Sequence, residues 1–226
     1  MQTFLKFDLY LHIFAGFTAL TTGLVPMLAK KGSKTHTTWG KIYFWAMFVV
    51  ALTALIRFRM DLRLIFLSGI AVFSFYNTFT GVRLIHRKSN PKPLLIDWFG
   101  AILMIIGSLG MLYFAYLAHQ NDNVFYTILF AIFGTFMFVL AFEDLRVFMG
   151  KKQIDNNVPL QTRYWFQNHI SRMGGSYIAT VTAFLVVNNP PQIPGLVAWI
   201  APGVIGGVII RRTQRFYMKK LKKTLE

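Results

Sequence analysis

Seven stretches of mostly apolar residues, set apart by clusters of charge, Pro, Gly and Asn, organise this chain. They run roughly over 7–29, 40–57, 62–84, 95–118, 124–146, 164–187 and 195–211. About 17–25 residues is what a helix needs to cross roughly 30 Å of hydrocarbon. Strands of a spanning barrel would alternate apolar and polar positions. The run from Ile102 to Leu117 does not alternate, so the pattern predicts helices. The second and third runs are joined only by Arg57–Arg63, short enough to demand a tight turn between antiparallel neighbours. The expected fold is all-α, an integral membrane bundle of seven helices.

Charge sets the expected orientation. Only 14% of the 226 residues are charged, against 55% hydrophobic, and mean hydropathy is +0.49. Counting alternate loops from 30–41 onward, nineteen of the 24 Lys and Arg fall on one side. They are Lys30, Lys31, Lys34 and Lys41, then Arg83, Arg87, Lys88 and Lys92, then Arg146, Lys151, Lys152 and Arg163, and seven more beyond residue 210. The other side has Lys6, Arg57, Arg59 and Arg63. The positive side of a multi-pass protein faces the cytoplasm, so the N-terminus is expected outside and the C-terminus inside. The Arg57–Arg63 turn is the one contrary feature, and Asp61 offsets only part of it. The expected location is a plasma membrane of the bacterial inner-membrane type. Residues 1–210 form the helical domain and 211–226 a basic cytoplasmic tail lying along anionic headgroups. The net charge of +16 has no basic soluble domain behind it, which argues against nucleic acid. An oligomer is compatible with the composition. The chain has no Cys, so disulfides, thiolate metal sites and Cys nucleophiles are excluded. The first apolar run is long enough to span and is not followed by a small-residue cleavage site, so no cleavable signal peptide is expected.

Polar groups inside a membrane are costly and mark candidate sites, although each can also serve as a packing contact between helices. In the first span His12, Gly16, Ala19 and Gly23 share one face, which points His12 inward. In the sixth, Trp165, His169, Arg172, Ser176 and Thr180 form the most polar stripe of the chain, with Gly174 and Gly175 beside it for close packing or a kink. Arg172 needs a partner, and Asp97, Glu143 and Asp144 are the carboxylates at matching depth. The third span carries Tyr76, Asn77, Thr80 and Gly81, with His86 pointing away from them; His119 is expected in solvent. Gly100, Gly107 and Gly110 of the fourth span read as a packing surface. The loop Gly32–Gly40 places Lys34, His36 and hydroxyls before a helix start. That arrangement suits an anion such as a lipid phosphate, or Thr37 or Thr38 acting as an ordinary N-cap.

The opening His12-x3-Gly16-x2-Ala19-Leu20-x2-Gly23, then Lys31-Gly-Ser-Lys-x-His36-x3-Gly40-x2-Tyr43, resembles bacterial polytopic membrane families whose activity is unknown. The later His169-Ile-Ser-Arg-Met-Gly-Gly-Ser-Tyr segment is similar to a later part of such proteins. The resemblance implies about seven helices and no established chemistry. The last span has neither the lysine of a retinal protein nor the histidines of a membrane zinc hydrolase. Candidate relay or ligand residues are therefore His12, His36, Asp97, Glu143, Asp144, His169, Arg172 and Ser176. His36 and His169 stand at one depth as candidate ligands of a metal or a haem b. Three readings follow: a carrier or sensor for a small solute, proton or lipid; a haem- or quinone-linked redox protein, or more remotely a metal-dependent enzyme; and a structural or assembly role.

Overall fold

The computed structural model describes residues 2–87, 92–151 and 164–225, with side chains over 5–219 of these. Lys88, Lys152 and Arg163, counted above for orientation, lie outside the described residues, as do the side chains of Lys220, Lys222 and Lys223. Seven helices follow one another without a strand among the described residues: α1 Gln2–Leu28, α2 Lys34–Ile56, α3 Leu62–His86, α4 Leu95–Gln120, α5 Val124–Phe148, α6 Tyr164–Val187 and α7 Gly195–Leu225. Each is long and apolar enough to cross a membrane, and the chain is a multi-pass membrane protein. Its outer surface agrees with that. Phe14, Leu28 and Leu95 are 73%, 79% and 88% exposed, which water would penalise and lipid does not.

Successive helices alternate in direction, so one end of the bundle gathers the 29–33 turn, the ends of α3 and α5, and the starts of α4 and α6. This is called the basic end below, and the opposite one the far end. α3 is the central helix and packs against α2, α4, α5 and α6. α1 pairs with α2, α4 with α5, and α6 with α7. The main apolar core lies between α3, α4 and α5, where Phe66, Met104, Leu129, Phe130 and Met137 are all but inaccessible. Hydroxyls buried in the helices mostly return their proton to the carbonyl one turn earlier, as Ser74, Thr80 and Thr182 do, so they spare the bilayer an unpaired polar group.

Two boundaries and one set of packing contacts differ from the sequence expectation. α2 begins at Lys34, because Ser33 is its N-cap and accepts the His36 amide; neither Thr37 nor Thr38 caps it. His36 is thus inside the first turn of a helix and not in a loop. Beyond residue 210, α7 does not stop. It continues to Leu225, and Gln214 donates to the Gln167 carbonyl and to Ser171 Oγ of α6. Of the glycines expected to pack closely, Gly16 and Gly110 face open space, whereas a side chain on Gly23 would strike the Tyr177 ring at 2.5 Å.

Candidate functional site

α1 and α7 do not pack against each other, and α6 forms the floor of the gap between them. The result is a groove of about 1080 Å³ running from Lys31, His36 and His86 at the basic end to Asn188 and Pro190 at the far end. Its walls are apolar over most of this length: Leu24 and Met27 from α1, Phe44 from α2, Met173, Ile178 and Val181 from α6, Ala201 and Ile205 from α7. The polar groups concentrate at the basic end, where Lys31, His36, Lys41, His86 and His169 line it.

The two histidines there are held alike. α1 ends at Leu28, so the carbonyls of its last turn have no partner within the helix. The Pro26 carbonyl accepts His36 Nδ1 at 2.9 Å and Lys31 Nζ at 2.8 Å, and Lys31 also reaches the Met27 carbonyl at 2.6 Å. Burial of Lys31 holds its ammonium below the usual lysine range. His169 Nδ1 meets the Gly81 carbonyl of α3 at 2.8 Å, an approach that works because Gly81 has no side chain to hold α6 off. A carbonyl can only accept, so in both rings the proton sits on Nδ1 and Nε2 keeps a bare lone pair. The ring centroids are 6.3 Å apart, edge to face.

The rest of the α6 stripe fans out to other neighbours. Arg172 points toward α5, where Nη2 donates to Asp144 Oδ2 at 2.9 Å and to the Leu140 carbonyl at 3.4 Å. Tyr76 Oη of α3 donates to the same Asp144 oxygen at 2.6 Å, with the guanidinium over its ring. Arg172 is 4% exposed and Asp144 6%, so this is a buried ion pair tying α3, α5 and α6. Ser176 is fully enclosed between Tyr43 Oη at 2.7 Å and Thr78 Oγ1 at 2.5 Å. Each hydroxyl has one proton, and Thr78 is also within 3.0 Å of the Ser74 carbonyl. The chain Tyr43 to Ser176 to Thr78 to that carbonyl satisfies every proton and ends on backbone, so it reads as a cross-bundle tie joining α2, α6 and α3.

The remaining candidates stand apart. Asp97 forms a two-pronged pair with Arg83 at 2.7 and 2.9 Å and also accepts the Leu94 amide, which clamps the α3–α4 connection. Glu143 faces Arg146 at 3.5 Å near the surface. His119 is exposed at the far end, and His86 is exposed at the basic-end rim of the groove. His12 is at the far end, where its Nδ1 lies 2.8 Å from Thr53 Oγ1 of α2. Thr53 gives its own proton to the Val49 carbonyl, so the imidazole is the donor.

One group at the far end escaped the sequence reading. Asp8 is buried, and Arg57 Nη1 lies 3.7 Å from its carboxylate and 3.2 Å from the Leu5 carbonyl. Asp8 is four residues before His12, on the same helix face, and that spacing was the available signal. Tyr43 and Tyr177, which line the groove together with Phe44 and Trp45, carried no such signal, since aromatic residues are common in any span.

No protein-family model, curated protein or solved structure matches the chain. The site therefore has to be read from its own chemistry.

Proposed function

We propose that the chain binds one amphiphile at a time within the membrane, as a carrier or sensor, with the ligand's polar or anionic head at the basic end and its apolar body along α6. The observation that supports this reading is the polarity gradient of the groove, whose apolar walls end in three imidazoles and two ammonium groups. Bilayer hydrocarbon is already as apolar as those walls, so moving a tail from lipid into the groove gains little. Selectivity then rests on the head, where the lysines and the bare Nε2 atoms supply charge and hydrogen bonding. A concave, mostly apolar site with few convergent polar groups is the usual form of a small-molecule site.

The orientation follows the cation count, with the basic end in the cytoplasmic leaflet. Arg57, the main contrary cation, is matched by buried Asp8 and weighs little against it. A reporter fused after Glu226 is expected to be cytoplasmic; a periplasmic signal would reverse the assignment. For the groove itself, Val181→Trp places an indole on its floor. The variant is expected to melt like the wild type while copurifying amphiphile falls tenfold or more, about 1.4 kcal/mol. Unchanged recovery in mass spectrometry of the purified protein would sink the reading.

A further inference from the structure

Resting on that reading, we infer that the ligand class is a metallated tetrapyrrole of the haem b type, held by His36 and His169 as axial ligands. Four observations converge. Both imidazoles give Nδ1–H to a backbone carbonyl, Pro26 for one and Gly81 for the other, and leave Nε2 bare. This is the outer-shell hydrogen bonding that orients metal-ligating histidines and raises their basicity. The ring centroids are 6.3 Å apart. Two metal–nitrogen bonds of roughly 2.0–2.1 Å, added to the rings' own half-widths, put two imidazoles on opposite sides of one ion about 6 Å apart. Among the described residues no group of three His, Cys, Asp or Glu is placed to hold an ion. An ion between these two rings must therefore bring its remaining ligands with it, which is what a macrocycle does.

The fourth observation is the setting. The histidines stand at the polar end of a groove whose walls are otherwise apolar, and its volume of about 1080 Å³ has room for a flat, largely apolar ring system. Lys31 and Lys41 line the same end, on the side where the carboxylates of such a molecule would emerge toward water. Lys31 is at present occupied by two carbonyls of the α1 terminus, so a carboxylate would compete with those neutral acceptors for its charge. The bound group would supply one-electron chemistry. The chain supplies two fixed Nε2 lone pairs, an apolar enclosure and cations at the mouth.

The test is a hemin titration of the purified full chain, followed by absorption. Binding of one equivalent with a six-coordinate low-spin spectrum is expected. His36→Ala and His169→Ala should each abolish the low-spin spectrum, and His119→Ala should leave it unchanged. His169→Ala also loses the tie to Gly81 and could fail to fold. His36→Ala therefore carries the decision, and free imidazole should restore the low-spin spectrum to it. No stoichiometric binding, or a spectrum indifferent to both histidines, overturns the inference. The two proposals fail separately. If hemin does not bind but a tailed amphiphile copurifies and is lost in Val181→Trp, the haem assignment falls and the groove reading stands. If neither occupies the groove, both fall.

Discussion

Asp144→Ala is expected to cost about 3–5 kcal/mol of bundle stability, the usual consequence of removing one partner of a buried ion pair. Arg172 is 4% exposed, and its Nη1 already has no hydrogen-bond partner among the described residues. Without Asp144 its nearest compensation is the Leu140 carbonyl at 3.4 Å, and a guanidinium cannot shed its proton to escape. Tyr76 would lose its acceptor in the same step. The matching loss from Arg172→Met should be of similar size, since it strands the carboxylate instead. The pair Asp144→Leu with Arg172→Met should lose less than either single change, because two apolar residues of similar volume leave no charge behind. Thermal melting of the four proteins in one detergent measures this. Single losses below about 1 kcal/mol, the range of exposed pairs, would mean that water or lipid headgroups reach the site.

The result bears on what the α6 stripe is for. On a helix of 3.6 residues per turn, His169, Arg172, Ser176 and Thr180 spread over roughly 80°. That is narrow enough to look like one face in sequence and wide enough to meet different neighbours. His169 meets α3 and opens into the groove, Arg172 meets α5, and Ser176 meets Tyr43 and Thr78. Sequence spacing tells which side of a helix a residue occupies; it does not tell which helix packs there. The spans themselves were legible because run length and charge punctuation are local signals. α6 falls on 164–187 as read from the pattern. The errors arose where a local rule had competitors. Ser33, Thr37 and Thr38 could all cap a helix, and only Ser33 sits where its oxygen meets the His36 amide. The basic stretch after residue 210 is as helical as the span before it and runs on because Gln214 is held by Gln167 and Ser171. The approach of His36 to His169 was foreshadowed by depth alone, since both lie in the opening turns of α2 and α6, which start at the basic end. Their shared orientation through Pro26 and Gly81 was not, because a backbone carbonyl leaves no trace in composition. Asp8 is a different kind of omission: its register with His12 was in the sequence, at the start of a span where a carboxylate is ordinarily solvated.

Gly81→Leu should break the ion-pair network and the groove together, because both hang on one close approach. A Cβ built on Gly81 lies 2.7 Å from Met173 Sδ and 3.3 Å from Arg172 Cβ. Alanine is expected to be tolerated there: Met173 is flexible, and replacing a helix-interior glycine gains about 0.8–1.0 kcal/mol in propensity. Leucine adds branches that Met173 alone cannot clear, so α3 and α6 must part, at a cost of about 1–3 kcal/mol. Parting them lengthens the 2.8 Å bond from His169 to the Gly81 carbonyl and frees the imidazole to turn. The expected signature is therefore paired: a lower melting temperature, and loss of the low-spin hemin spectrum even with both histidines intact. Gly110→Leu is the control, since a side chain there meets nothing within 4 Å; it should not lower stability and should gain at most the propensity term of about 1 kcal/mol. A Gly81→Leu protein that melts lower yet keeps the spectrum would separate the packing of α3 on α6 from the placement of His169. One that melts like the wild type would show that α6 is not seated on α3 at Gly81.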